Sequence, residues 1–478
     1  MIGIILSSKL VESTLKAQFG EILPIELPVQ NKSLLFHQIE SLQAICDSIY
    51  ITSPLGYKLD SFNDIPRIEL ESNLTLIQVL GKISEKFDLN QRIFIYYGDS
   101  LFQNIGELES SNNYFFVQKP IHQYVWGFAD EKGLVPAGGI IISIKELKYM
   151  LSDCSDFDTF AKNILQSSNI ESFSDFEWLD FGHTLTFYNS RKRFLESRSF
   201  NKITQNGGYV TKSSKDVLKM WSEFNWLKSC KEKLPANVPY VWNFSISNGE
   251  ACYSIEYINH PPLSDIFVFG KISETFFIKI LESIKRTLLK IRSCNFETPN
   301  YIEINFLAEK LLKRKKDIIK ITEILNGDTD FVKNRIEENI EYFSNKKFEM
   351  VPIHGDLCFS NILFDFSTFE PILIDPRGYI SDEVGFSMYG PDSYDYYKLA
   401  HSYVIGYDFL IAGKEYHQLM SKTEIKRRLK VFCELFNLDK NDLKMGLMNL
   451  FLSMLPLHND STARQESFLN TLFVIQEI

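Results

Sequence analysis

Three oxygen-bearing side chains, Asp356, Asn361 and Asp375, stand at a spacing suited to chemistry on a phosphate. The stretch Val351-Pro352-Ile353-His354-Gly355-Asp356-Leu357-Cys358-Phe359-Ser360-Asn361-Ile362-Leu363-Phe364-Asp365 is followed by an apolar run ending in Ile372-Leu373-Ile374-Asp375-Pro376-Arg377-Gly378. A loop and a strand end therefore present two acids and an amide. Phosphoryl transfer requires a carboxylate that orients the attacking hydroxyl and accepts its proton, and oxygen ligands that hold magnesium across the phosphates. Asp356 suits the first task. Asn361, five residues on, and Asp375, at the end of the adjacent strand, suit the second, because a hairpin returns the chain close to where it left. The bland alternative is a surface turn beside a hairpin that only fills a core.

These residues have to be held by what surrounds them. After residue 270 long helical periodicities dominate, over Glu274 to Arg292, Glu303 to Leu325, Asp330 to Phe343, Asp395 to Leu410, Thr423 to Phe436 and Asp442 to Leu455, with residues 349 to 378 as a loop-and-hairpin island among them. Upstream, Asn206-Gly207-Gly208 is a hairpin-type turn signal, followed by the strand Tyr209-Val210-Thr211-Lys212 and a helical stretch Met220 to Leu227 carrying Glu223. Before residue 195, β-rich runs (Ile2 to Leu6, Ser48 to Thr52, Arg92 to Tyr97, Gly139 to Ile142) alternate with helix-like segments at Leu34 to Ala44 and Leu76 to Phe87. Such alternation predicts βαβ units and a mostly parallel sheet covered on both faces, with ligands at the carboxyl ends of strands. Tyr97-Gly98-Asp99-Ser100 lies at one such end.

His-Gly-Asp, an Asn five residues later and an Ile-Asp strand end nineteen residues after the first Asp together resemble the aminoglycoside phosphotransferase and choline kinase family. The resemblance implies a two-lobed, protein-kinase-like α+β domain over residues 198–478, with an ATP lobe at about 198–260 and a helical lobe at about 261–478. It implies Asp356 as catalytic base, Asn361 and Asp375 as Mg2+ ligands, and His354 as a residue that fixes the catalytic loop. It also implies Lys212 on the ATP phosphates, steadied by Glu223, although Ser213 and Ser214 leave a solvent-exposed Lys212 as the alternative. Tyr253-Ser254-Ile255-Glu256-Tyr257-Ile258 resembles the segment joining the lobes, where backbone groups around Glu256 and Ile258, not the Glu256 side chain, bind adenine. Gly390 to Leu399 resembles the family's helix-opening acidic segment, in which Asp392 or Ser393 caps the helix.

Residues 1–197 resemble the sugar-phosphate nucleotidyltransferases, a Rossmann-like α/β fold, through Ile2 to Leu6, Leu27 to Leu34, Tyr97-Gly98-Asp99-Ser100, Ala137-Gly138-Gly139 and Trp178-Leu179-Asp180-Phe181-Gly182-His183. The resemblance implies that Asp99 and Asp180 bind magnesium together. The family's glycine-rich loop is missing, because Ser7-Ser8-Lys9-Leu10-Val11-Glu12-Ser13-Thr14 follows the first strand, and glycines there let backbone amides approach phosphates. Asp99 and Asp180 are then either a live site or residues kept for local hydrogen bonding. Fusions of this layout resemble proteins of capsule and surface-polysaccharide synthesis.

Composition narrows the classes. With 478 residues, 45% hydrophobic and 23% charged, the chain reads as a globular protein of two domains. A net charge of −10 argues against nucleic acid as main partner, and the basic runs Lys313 to Lys316 and Lys426 to Arg428 read as solvated helix faces able to attract or repel a charged substrate. Seven scattered cysteines without metal spacing read as reduced thiols, and no run of ~18 apolar residues predicts a membrane span. The resulting expectation is a cytoplasmic Mg-ATP-dependent kinase for a hydroxyl of a sugar, polyol or amino alcohol. A bifunctional enzyme with a second nucleotide at the first domain, and a regulatory nucleotide-binding protein without turnover, are the competing readings. Acceptor identity and oligomeric state are not written in this sequence.

Overall fold

The computed structural model describes residues 1–59, 62, 64–109, 111–120, 133–194, 202–206, 208–296, 306–381, 385–414, 421–458 and 461–478. Its contacts divide the chain into one unit of Met1–Leu195 with Phe269–Lys271 and another of Glu196–Val268 with Ile272–Ile478.

The N-terminal unit is built on a seven-stranded sheet in the order Ile170–Phe173, Asn113–Gln118, Val135–Ser143, Arg92–Tyr97, Ile2–Leu6, Ser48–Pro54, Arg67–Leu70. Ile2–Leu6 runs parallel to both its neighbours, with Ile4 opposite Tyr50 and Ile95, whereas Val135–Ser143 is antiparallel to the strands on either side. Successive side chains of a strand point to opposite faces. Ile2, Ile4, Ile93 and Ile95 accordingly pack on one side with Leu80 and Ile83 of the helix Leu76–Lys86 and with Phe160 of Phe157–Gln166. Ile5, Phe94 and Tyr96 pack on the other with Leu35 and Leu42 of Leu34–Gln43, and with Phe102 and Trp178. Both faces being covered, the strands read as continuous apolar runs. Phe102 stacks on Phe116, with centroids 5.0 Å apart and the rings 4° from coplanar, and Phe116 in turn stacks on Phe94 at 5.2 Å. Removing a ring so placed costs about 3–5 kcal/mol.

The C-terminal unit begins with a four-stranded antiparallel sheet in the order Lys202–Asn206, Tyr209–Ser214, Glu250–Glu256, Val241–Ser247, beside the helix Val217–Lys233. Asn206 pairs with Tyr209, and Gly207 lies outside the described residues. Helices follow at Glu274–Ser293, Phe306–Ile324, Thr329–Asn345, Tyr394–Tyr403, Tyr407–Ile411, Lys422–Phe436, Lys440–Met454 and Thr462–Glu477. Two differ from the periodicity. The run Asp395 to Leu410 breaks at Gly406, whose φ of +76° is left-handed and ends the first helix. Thr462–Glu477 was not anticipated, although Ser461 caps it through the Arg464 amide and Phe468, Leu469, Leu472 and Ile475 form its buried stripe. Residues 303 to 305 of the expected Glu303 to Leu325 helix lie outside the described residues. All seven cysteines are free thiols, and among the described residues no helix is long and apolar enough to cross a membrane.

Candidate active site

Ile362–Asp365 pairs antiparallel with Glu370–Leu373, Ile362 opposite Leu373. The pairing extends one step further, where the Ile374 amide donates to the Asn361 carbonyl at 3.0 Å. Asn361 and the residue before Asp375 therefore face each other at the open end of this hairpin, as the spacing requires. The loop leading into Asn361 is fastened from several sides. His354 is fully buried; its Nε2 lies 3.0 Å from the Ile374 carbonyl and its Nδ1 3.3 Å from the Asp356 amide. A carbonyl can only accept and an amide only donate, so these partners assign the neutral Nε2–H tautomer. Burial pushes the ring's pKa below its ordinary value, in the same sense. His354 thus fixes the loop.

Gly355 has φ +80°, and a Cβ there would fall 2.0 Å from the Gly378 carbonyl oxygen, so only glycine lets the loop and the strand end close on each other. The Arg377 and Gly378 amides donate to the His354 carbonyl at 2.8 and 2.9 Å, completing that closure. Asp395, buried at the start of Tyr394–Tyr403, accepts from the His354 and Gly355 amides at 2.7 and 2.9 Å. It is the residue that sequence reasoning missed. Of the two expected caps, Ser393 stands at the N-cap position of that helix, without a side-chain capping bond, and its hydroxyl donates to Asp392 at 2.9 Å. An acid three residues after Asp392 was visible in the sequence, but its aim at the loop belongs to tertiary structure.

Asp356 sits between two cations, 3.0 Å from Lys398 Nζ and 3.2 Å from Arg377 Nη2. Burial alone would raise its pKa, but Arg377 and Lys398 hold it well below the usual carboxylate range. The group is therefore ionised at neutral pH. Asn361, 4% exposed, donates from Nδ2 to the Asp356 carbonyl at 2.8 Å. Its Oδ1 accepts from Ser360 Oγ at 3.5 Å.

Asp375 adopts φ +55°, a left-handed conformation that costs a non-glycine residue about 1–3 kcal/mol and that surrounding contacts must sustain. One such contact is Lys212, whose Nζ bonds Asp375 Oδ1 and Glu223 Oε1, the latter at 2.5 Å. Tyr253, opposite Lys212 in the sheet, donates its hydroxyl to the same Glu223 oxygen. Burial opposes the lysine's charge, yet Asp375 and Glu223 raise its pKa, so the ammonium persists. Lys212 is 6% exposed, which removes the solvent-exposed alternative. The two serines after it have local work: Ser213 donates to Glu250, and Ser214 accepts the Asp216 amide before Val217–Lys233 begins. The carboxylate and the amide oxygen suit a hard cation such as Mg2+. Among the described residues no group of three His, Cys, Asp or Glu could hold a metal.

Glu256 ends its strand, and its carboxylate accepts the Tyr240 amide at 3.0 Å while its own amide donates to the Tyr240 carbonyl. The side chain is thereby occupied, and the next amide, that of Tyr257, donates to the Gly208 carbonyl at 3.0 Å.

In the N-terminal unit Asp99 and Asp180 come together. Asp180 pairs with Ser100, and the Phe181 amide donates to the Asp99 carbonyl at 2.7 Å. A Cβ on Gly182 would lie 2.7 Å from Asp99 Oδ2 and 3.2 Å from Asp180 Oδ1, so both carboxylates converge on one small space. Burial, then the Asp180 charge, pushes Asp99 up to about 7. The segment after the first strand is closed by its own side chains. Glu12 caps Ser13–Phe19, accepting the Thr14 amide at 2.9 Å and the Leu15 amide at 3.3 Å, with Thr184 Oγ1 donating at 2.7 Å. Although burial opposes it, the bonds from Thr14 and Thr184 hold Glu12 at about 2, so a fixed negative charge occupies the helix start.

No family model and no curated protein matches the chain. Solved structures do. The GDP and kanamycin complex of APH(2")-IIia is 14% identical at a TM-score of 0.40, covering 59% of this chain and 91% of that one. A putative fructosamine-3-kinase from Haemophilus somnus 129PT is 15% identical at 0.36, covering 59% and 89%. A choline/ethanolamine kinase family protein from Mesorhizobium loti is 12% identical at 0.35, covering 58% and 85%. Identities and TM-scores this low leave the functional reading to the residues themselves.

Proposed function

We propose that the C-terminal unit is an ATP-dependent kinase of a small molecule, transferring the terminal phosphate to an alcohol oxygen of a sugar, polyol or amino alcohol. The observation that carries the reading is the gathering of Asn361 and Asp375 at the open end of one hairpin, with Asn361 bonded to the Asp356 carbonyl, Lys212 reaching Asp375 from the sheet, and Glu223 of the helix Val217–Lys233 holding Lys212. Asp356 orients the acceptor hydroxyl and receives its proton. Lys212, steadied by Glu223, neutralises phosphate charge. Asn361 and Asp375 would hold Mg2+, which screens the charge between nucleotide and nucleophile when bound. The Glu256 to Ile258 backbone would hold the base.

The N-terminal unit, in this reading, is a nucleotidyltransferase-type domain without turnover, and the whole chain serves surface-polysaccharide precursor synthesis. Its strand order and the Asp99–Asp180 pair support the fold assignment, and the Glu12 charge at the helix start, where a phosphate would otherwise sit, supports the loss of turnover. A second reading, in which both units are active, is favoured by the carboxylate pair alone; pyrophosphate release that disappears in Asp99→Ala would establish it. The kinase is tested by screening hydroxyl acceptors with Mg-ATP for ADP release. An acceptor-dependent release lost in Asp356→Asn supports it, and equal release by parent and variant for every acceptor overturns it.

A further inference from the structure

The face of Asp356 turned toward the helical region is strongly basic, and ring contacts show how it is assembled. Tyr394 and Lys398 are four residues apart on Tyr394–Tyr403, as are Phe306 and Lys310 on Phe306–Ile324, so each pair shares a helix face. Phe306 meets Tyr394 edge-on at 4.7 Å and Tyr379 at 5.4 Å, which brings the Lys310 face over Lys398 and over the strand end that carries Arg377. Arg314, one turn beyond Lys310, donates to the Ser453 carbonyl at 2.6 Å and keeps its charge on the same side.

Four basic side chains thus gather beside one carboxylate. Asp356 pairs with Arg377 and Lys398, and among the described residues none of the four makes a second ion pair. Half of the Arg377 side chain is solvent-exposed, at 52%, so the group is open to a ligand. Burial first, and then the charges of Lys398, Arg314 and Arg377, push the Lys310 pKa well below its ordinary value, against the opposing pull of Asp356. A pocket for a neutral or cationic alcohol has no use for such an excess. A phosphate or carboxylate on the substrate would offset it through charge-assisted hydrogen bonds.

We infer that the acceptor carries an anionic group, a phosphate or a carboxylate near its reacting hydroxyl, bound by Lys310, Arg314, Arg377 and Lys398. This rests on the kinase reading and narrows its acceptor to acidic alcohols, excluding amino alcohols without an acid.

The first experiment does not need turnover. Inorganic phosphate is titrated into the full-length protein by calorimetry, and into Lys310→Gln, Arg314→Gln and the charge-keeping Lys310→Arg. Binding weakened by about tenfold in each neutral variant and retained in Lys310→Arg is expected. Equal binding in all four proteins, or none in the parent, overturns the inference. A melting curve on each variant identifies those that fold as the parent does, and with two independent neutral variants the loss of one still leaves a reading. The second experiment compares matched acceptors with Mg-ATP: sugars against their phosphates, and hydroxy acids against their amides. Preference for the acid forms, with acceptor KM raised and ATP KM unchanged in Lys310→Gln, supports the inference. Preference for neutral forms, or a rise in ATP KM instead, overturns it while the kinase reading stands. If no acceptor releases ADP above the Asp356→Asn background, the kinase reading fails, whatever the phosphate titration gives.

Discussion

Replacing Lys212 by Met removes a cation that touches both Glu223 and Asp375. The Glu223 side chain is 3% exposed and that of Asp375 31%, so the first carboxylate loses its charge partner out of reach of water while the second is partly solvated. Breaking a buried pair from one side costs about 3–5 kcal/mol, because the remaining charge is uncompensated. Glu223→Gln is milder at about 2 kcal/mol, since the amide oxygen still accepts from Tyr253 and Lys212. In the double variant the uncompensated Glu223 charge is gone, so its cost falls short of the sum by about 1–2 kcal/mol. Urea unfolding of the four proteins, followed by tryptophan fluorescence, gives this cycle. Turnover falls further than stability explains, about 10²–10³-fold for Lys212→Met, as expected of a group aimed at developing phosphate charge. Single effects adding to within about 0.5 kcal/mol in the double variant would refute the coupling.

Two further predictions concern protons. Asp99 holds its proton up to about 7 in the fold against an ordinary value of 3.8, so between those values the folded state binds more protons and stability falls as pH rises. Asp99→Asn therefore stabilises the protein at pH 7.5, by about 2 kcal/mol given the shared titration of the pair, and melts with and without magnesium show parent but not variant protected if the pair holds the ion. His401, stacked on Tyr407 at 4.3 Å, is pushed down to about 3 by burial and by Lys398. Its unfolded form takes up a proton below 6.5 while the fold refuses it, so stability drops as pH falls from 6.5 towards 3; in His401→Phe the melting temperature loses that dependence.

Legibility in the sequence followed the range of the interaction. Asp356, Asn361 and Asp375 could be found because a hairpin converts a short spacing into proximity, and Lys212 with Glu223 because a strand and the next helix are neighbours in the chain. Strands such as Ile2–Leu6 and Arg92–Tyr97 were plain as apolar runs, since both sheet faces are buried. Strands whose burial is partial were not: Ile170–Phe173 buries only its two ends, and its apolar signal is correspondingly thin. Asp395, Lys398 and Lys310 were illegible as site residues because packing of distant helices, through Phe306 and Tyr394, brings them to the loop. Glu12 was overlooked for a different reason: the absence of glycines drew notice to what the segment lacked, not to the carboxylate that closes it.

The central claim is that Asp356 presents an acceptor alcohol to the terminal phosphate held over Asn361 and Asp375. Its most direct test follows label from γ-labelled ATP into a hydroxyl acceptor, comparing parent and Asp356→Asn. The account predicts labelled phosphate ester from the parent and about 10²–10⁴-fold less from the variant, with nucleotide binding retained. Equal labelling by the two proteins would contradict it.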